Sequence, residues 1–310
     1  MTQLRQGAFV PGPKLLKGAL HVHTTRSDGH GTPEEVTRLY KQYGFDFMAL
    51  TDHNIYNYTN FAPETGMTIL PGVERDSPLP RRAGRIHTFH AVCLGPARED
   101  GNGYEQDERF AGGIAVADQF AFQPILDDIH AHNNLTIYCH PEWSGTPARD
   151  FDQLRGNFAM EIFNSGTAME DDMDTNAAYW DELLMQGQRI WGVATDDGHS
   201  MDQHGNGWVN VRAENSISAI LAALAAGDFY SSCGPEIYDF YVQDGMAVLE
   251  CSPCAYAGFR FGQIPNRLTH SKAGDVTRAT YEIPESFEYI RGIVKDTQGR
   301  RAWTNPIFLK

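Results

Sequence analysis

The chain has 310 residues, 41% of them hydrophobic and 21% charged, which is enough for one large domain or a large domain with a smaller one. Its 25 basic and 40 acidic side chains give a formal charge of −15, and no basic run breaks that balance, so a nucleic-acid partner is not expected. The opening stretch MTQLRQGAFV lacks the long apolar segment of a signal peptide, and no run approaches the roughly 18 apolar residues of a membrane span. These features predict a cytoplasmic protein that does not engage a membrane. The five cysteines, Cys93, Cys139, Cys233, Cys251 and Cys254, are scattered and odd in number, as suits a reducing compartment. Cys251 and Cys254 form a lone C-x-x-C with no second pair, and read as two thiols in a β-rich tail.

In chain order, GALHVHT (18–24) reads as a short strand. Thr32-Pro33-Glu34-Glu35 then opens a helix: threonine can cap, proline fits the first helical position and Glu35 completes a capping box. Val36, Leu39, Tyr40 and Tyr43 follow at helical spacing before Gly44 ends the run. FDFMALTDH is the next strand, apolar on both faces as in a helix-covered parallel sheet. MTILPGVE, TFHAVCLG, LTIYCH, AMEIFN and RIWGVATDD continue the strands, and QPILDDIHAHN, AAYWDELLMQGQ and SISAILAALAAG the helices. About seven strands alternating with helices predict an α/β barrel or a doubly wound sheet. From about Ser231–Pro235 onward only short alternating runs remain, predicting a domain over 1–232 and a small β-rich or sandwich-like domain over 233–310.

The chemistry lies at the strand ends. His21 and His23 are two residues apart and therefore share a strand face. The next strand ends in Asp52-His53, another in Glu74, one carries His90, LTIYCH ends in His140, and the last ends in Asp196-Asp197-Gly198-His199. Asp28 follows in a Ser-Asp-Gly turn. In parallel barrels functional side chains gather at the C-terminal ends of strands. Imidazoles and carboxylates converging without cysteine are what Zn²⁺, Mn²⁺ and Fe²⁺ accept, so a site for two or three divalent metal ions is expected.

The ordered stretches H-x-H-T-x-x-S-D-G (His21–Gly29), A-L-T-D-H (Ala49–His53), G-V-E (Gly72–Glu74), strand-borne His90, C-H-P (Cys139–Pro141) and D-x-H (Asp197–His199) resemble the PHP superfamily, the polymerase and histidinol phosphatase domain, over roughly Leu16 to Ser232. The resemblance implies a distorted seven-stranded (β/α) barrel. Ala194–Asp197, Gly227–Ser232 and Ala302–Pro306 are similar to the carbaryl-hydrolase-like subgroup, whose members carry a β-rich C-terminal segment. The family pattern implies three metal positions: His21, His23, Glu74 and Asp197 at one; Glu74, His90 and His140 at a second; Asp28, His53 and His199 at a third. His87 is an alternative to His90. Asp196 is an alternative to Asp197, and otherwise a hydrogen-bonding support for it.

Such a cluster would lower the pKa of a bridging water from about 15.7 towards ~7 and polarise the bond under attack. Asp52 and His199 are the candidates for carrying a proton to the leaving group. Arg26 and Arg75 are placed in sequence to approach a phosphate, the 76–85 loop (DSPLPRRAGR) to roof a pocket, and Trp143 to stack on a ring or fill space. These residues predict a phosphoesterase acting on a small molecule. A carbamate, ester or amide hydrolase is the alternative, favoured by an uncharged aromatic pocket wall. A non-catalytic metal-binding module is the third. Oligomeric state is not legible.

Overall fold

The structure, a computed structural model, describes residues 5–9, 15–80, 84–173, 176–262 and 267–310. After the two-residue strand β1 (Gln6–Gly7), the first part of the chain alternates as expected: β2 (Leu16–Ala19), α1 (Pro33–Gln42), β3 (Phe47–Ala49), β4 (Thr68–Leu70), β5 (Gly72–Pro78), β6 (Thr88–Leu94), the short α2 (Arg98–Gly101) and α3 (Gln119–Ala131). It continues with β7 (Leu135–Tyr138), β8 (Asn157–Asn164), α4 (Ser165–Asp171), α5 (Asn176–Met185), β9 (Trp191–Thr195), β10 (Trp208–Val211), α6 (Ile217–Ala226) and β11 (Phe229–Ser232). The capping box of α1 forms as read: Thr32 Oγ1 accepts from Glu35 N and the Glu35 carboxylate accepts from Thr32 N. Helix α3 starts earlier than its apolar spacing indicates, because Asp118 accepts from Phe120 N and Ala121 N and so caps a turn ahead of Pro124.

The strands are divided between sheets. β2, β3 and β4 pair in parallel, and β7, β8 and β9 pair in parallel, but β5–β6 and β6–β7 are antiparallel. The expected seven-stranded barrel is not a continuous hydrogen-bonded cylinder among the described residues. Pro71 separates β4 from β5 and has no N–H to donate, so the ladder stops there. Single parallel bridges, Val22 to Gly198 and His53 to Glu74, join the two groups of strands just where the candidate site residues stand. Leu20, Phe47, Leu70, Val92, Ile137, Val193 and Val209, drawn from both groups, form one solvent-free cluster behind the site.

The remainder is β: β12 (Ile237–Gln243), β13 (Met246–Cys254), β14 (Tyr256–Arg260), β15 (Arg267–His270), β16 (Val276–Glu282), β17 (Tyr289–Lys295), β18 (Arg301–Thr304) and β19 (Ile307–Phe308). One sheet runs β1-β12-β13-β16. The other strands extend the β2–β4 sheet through β10 and β11, with β11 paired to β18 and β18 to β17. Phe240, Leu249 and Cys251 of the first sheet pack with Ala257, Phe259 and Val294 of the second around one core. No described helix is long and apolar enough to cross a membrane.

Candidate metal centre

The ladder of β2 ends at Ala19, and His21 and His23 stand in the following residues, both fully buried. Their Nε2 atoms lie 3.1 Å apart and meet the same two carboxylates. His21 Nε2 is 3.3 Å from Glu74 and 3.1 Å from Asp197; His23 Nε2 is 3.2 Å and 3.0 Å from them. Glu74 is the hub. Five imidazoles surround its carboxylate, His53 at 3.1 Å, His90 at 2.9 Å and His140 at 3.4 Å joining His21 and His23. Further out, Asp28 approaches His23, His53 and His199 at 3.5–3.6 Å, and the His23 and His199 rings stack with centroids 4.3 Å apart.

Local backbone places these groups. Gly29 N donates to Thr24 O, folding the 24–29 turn back on itself; a Cβ on Gly29 would come within 2.8 Å of the His23 and Thr24 backbone. That close approach returns Asp28 to the site. His140 (φ 23°) and Asp197 (φ 49°) both occupy left-handed backbone, a conformation that costs energy outside glycine and concentrates at functional sites.

A residue not singled out in sequence orders the inner group. Glu161 on β8 is fully buried and accepts from His21 Nδ1 (2.7 Å), Thr195 Oγ1 (2.7 Å), His140 N (2.8 Å) and Asn164 Nδ2 (2.9 Å). Binding His21 through Nδ1 leaves Nε2 turned to Glu74 and Asp197. Asn164 Nδ2 also donates to Asp197 at 3.0 Å. The available signal was a carboxylate inside the apolar run Ala159-Met160-Glu161-Ile162, where an ionised group needs a partner.

Electrostatics follow from this crowding. Burial alone lowers the His23 pKa, but hydrogen bonds and charge from Asp197 and Glu74 outweigh it and raise it to about 10. His21 is likewise driven upward against burial by Asp197, Glu74 and Glu161. Burial raises Asp197 and Glu74, yet the surrounding imidazoles hold both well below the usual carboxylate range. His53 is pushed down, chiefly by burial.

A divalent cation fits these residues. His53 Nδ1 and Glu74 Oε2 are buried and 3.1 Å apart, yet neither has a hydrogen-bond partner among the described residues. Two sets of four donors, His21/His23/Glu74/Asp197 and His23/Asp28/His53/His199, converge closely enough to share an ion, as do His53/Glu74/His90. His140 lies with Glu74 and Cys139 in a further such group.

Other residues stand elsewhere than the sequence suggested. His87 faces away, its Nδ1 2.8 Å from Pro80 O, while His90 meets Glu74. Asp196 accepts from Tyr40 OH and from the N–H groups of Gly205, Asn206 and Gly207, bracing the loop beyond Asp197; burial pushes its pKa up to about 6. Asp52 is not at the rim. It is fully buried and accepts from Thr24 and Ser27 through both backbone and hydroxyl donors, which makes it the anchor of the 24–28 turn. Arg26 and Arg75 do not line the cavity. Arg26 binds Asn57 and Asp107, and Arg75, one residue from Glu74 and thus on the opposite strand face, donates to Asn54 beneath Phe110. Within the 76–85 loop, residues 81–83 lie outside the described residues, and no described member lines the cavity.

The cavity itself is about 340 Å³. Trp143 forms one wall, its ring edge-on to His90 and His140, and Glu170 and Thr167 of α4 form another.

Residues 19–137 match the PHP domain family. That span holds His21, His23, Asp28, His53, Glu74 and His90, while His140, Asp197 and His199 follow it. Two solved structures are similar at low identity. A two-domain protein from Bacteroides vulgatus containing a predicted PHP-like metal-dependent phosphoesterase shares 15% identity, with a TM-score of 0.48, over 98% of this chain and 99% of that one. An amidohydrolase from Chromobacterium violaceum shares 18% identity, with a TM-score of 0.41, over 59% of this chain and 88% of that one. No curated protein matches the chain.

Proposed function

We propose that this chain, a metal-dependent hydrolase by its PHP domain and its carboxylate–imidazole cluster, hydrolyses the phosphate ester of a small molecule. The observation that carries the reading is Glu74: one buried carboxylate among five imidazoles, with an oxygen and the facing His53 nitrogen left without partners. We assign the ions to the sets His21/His23/Glu74/Asp197, Glu74/His90/His140 and Asp28/His53/His199, and take Zn²⁺, Mn²⁺ or Fe²⁺ as the occupants. Bound there, such cations supply Lewis acidity that activates water and neutralises charge on the bond under attack.

The protein's own residues do the rest. Glu161 holds His21 in the required tautomer. Asp52 fixes the turn that presents Asp28. His199, about a third exposed at the cavity mouth, carries the proton to the leaving group when two ions are bound, and serves as a ligand when three are. Trp143 packs against the body of a small-molecule substrate. The catalytic unit is residues 1–232, with 233–310 a β-rich appendage. Nucleic acid is not the substrate we assign to a chain of charge −15 with no arginine or lysine lining the described cavity.

One observation favours a second reading, hydrolysis of a carbamate, ester or amide. No arginine or lysine lines the described cavity, and Trp143 does. The similarity of Ala194–Asp197 and Ala302–Pro306 to the carbaryl-hydrolase-like subgroup points the same way. The purified protein, supplied with Mn²⁺, Zn²⁺ or Fe²⁺, should be assayed with 4-nitrophenyl phosphate, bis(4-nitrophenyl) phosphate and 1-naphthyl methylcarbamate. The proposal predicts metal-dependent turnover of a phosphate ester. Turnover of the carbamate alone would transfer the assignment to the second reading.

A further inference from the structure

A second cavity, about 540 Å³ in volume, is separated from the metal centre by α4. Ser165 and Met169 of that helix face it, whereas Gly166, Thr167 and Glu170 face the centre. The two cavities differ in lining. The centre mixes the carboxylates of Asp28, Glu74, Glu170 and Asp197 with imidazoles; the described wall of the second cavity has no carboxylate and carries Lys17, Arg300 and Arg301. Three cationic side chains thus gather at one cavity of a chain with a formal charge of −15, Arg300 among them being paired with Asp296.

Two of these cations are held in place by the protein. The Lys17 ammonium lies 4.1 Å from the Phe45 ring centroid and 4.0 Å from that of Trp208, and donates to Tyr43 O at 3.3 Å. Arg300 donates through Nε to Asp296 at 2.8 Å, and its stem lies on Gly234, where a Cβ would come within 2.9 Å of three of its side-chain atoms. Rings of Tyr43, Phe163 and Trp208 supply the flat apolar wall between them.

We infer that this cavity is a second binding site, for a small organic anion with a flat apolar body, its acid group directed to Lys17 and Arg300 and its ring to Trp208 and Phe163. Cations fixed before the ligand arrives lose little side-chain entropy on binding, and a ring against aromatic walls adds burial that a bare inorganic anion lacks. The site is distinct from the metal centre and does not depend on the reaction assigned to it. It adjoins the centre's support, since Gly205 and Asn206 border this cavity and both donate to Asp196, the neighbour of Asp197.

The test is calorimetric titration of the full chain with indole-3-acetate and with its neutral isostere indole-3-acetamide. The site predicts one acid bound per chain, at least about tenfold more tightly than the amide. Arg300→Gln and Lys17→Gln should each weaken the acid severalfold, while the metal-centre variant His21→Ala/Asp197→Ala leaves its affinity unchanged. Arg300 is half exposed, so its variant is expected to fold even if that of Lys17 does not. Equal affinity for acid and amide, no acid binding at millimolar concentration, unchanged affinity in Arg300→Gln, or loss of binding in the metal-centre variant would each overturn the inference.

Discussion

At the scale of the residue, the site is a set of imidazoles and carboxylates that can coexist buried only by sharing protons or an ion. Asp197 and Glu74 raise the His23 pKa to about 10, so a proton competes with an ion for that nitrogen. A protonated imidazole cannot ligate, so ion binding must displace that proton and should tighten as pH rises toward that value, weakening as pH falls. Titration calorimetry in buffers of different ionisation enthalpy should show proton release on metal uptake at neutral pH; uptake without release would contradict the assignment of His23. Glu161→Gln keeps the shape of the side chain but removes its charge and an acceptor from His21, Thr195, His140 and Asn164. Metal affinity should fall by about 10–100-fold, read as a dissociation constant against a competing chelator. The nine candidates were singled out in sequence as imidazoles and carboxylates at or near predicted strand ends, and the structure brings them together in overlapping groups. Glu161 was not, since one carboxylate in an apolar strand looks the same whether or not it supports a ligand. The roles suggested for Asp52, Arg26 and Arg75 failed for a different reason. Arg75 adjoins Glu74 in a strand and so faces away from it, while Asp52 and Arg26 lie in loops whose partners, the 24–28 turn and Asp107, only the tertiary structure reveals.

At the scale of the element, local chemistry was read most securely where it is self-contained. Thr32, Pro33 and Glu35 specify the start of α1 without tertiary help, and Thr32→Ala should cost about 1 kcal/mol in denaturant unfolding. The start of α3 escaped the reading because Asp118, rather than apolar spacing, determines it. Contacts between distant elements were not legible at all. Arg291 on β17 reaches Asp181 on α5 with bonds of 2.8 and 2.7 Å, both side chains buried and the guanidinium 4.6 Å from the Trp180 ring centroid. Removing one member of such a pair strands the other charge, so Arg291→Met should lower stability by about 3–5 kcal/mol. Because the pair joins the two parts of the chain, unfolding of that variant should begin in the β-rich strands, as followed by hydrogen exchange. Uniform exposure of both parts would contradict this role.

At the scale of the whole molecule, the alternation of strands and helices followed by an all-β stretch was legible from composition and periodicity. The way the strands close was not. Whether a Leu70-Pro71-Gly72 step interrupts a ladder, and whether late strands extend an earlier sheet, depends on pairing between segments far apart in sequence. In the structure the candidate centre lies where single bridges tie the two groups of strands. Ions at that seam bind the folded chain and not the unfolded one, so loading should raise the melting temperature and chelation lower it. The most direct measurement of the central claim is metal content per chain, by plasma mass spectrometry, of the wild type and of His21→Ala and Asp197→Ala, with phosphate-ester turnover measured on the same samples. Two or three divalent ions are expected in the wild type, with ions and turnover lost together in both variants. A folded wild-type chain that takes up no Mn²⁺, Zn²⁺ or Fe²⁺, or that turns over substrate without them, would contradict the claim.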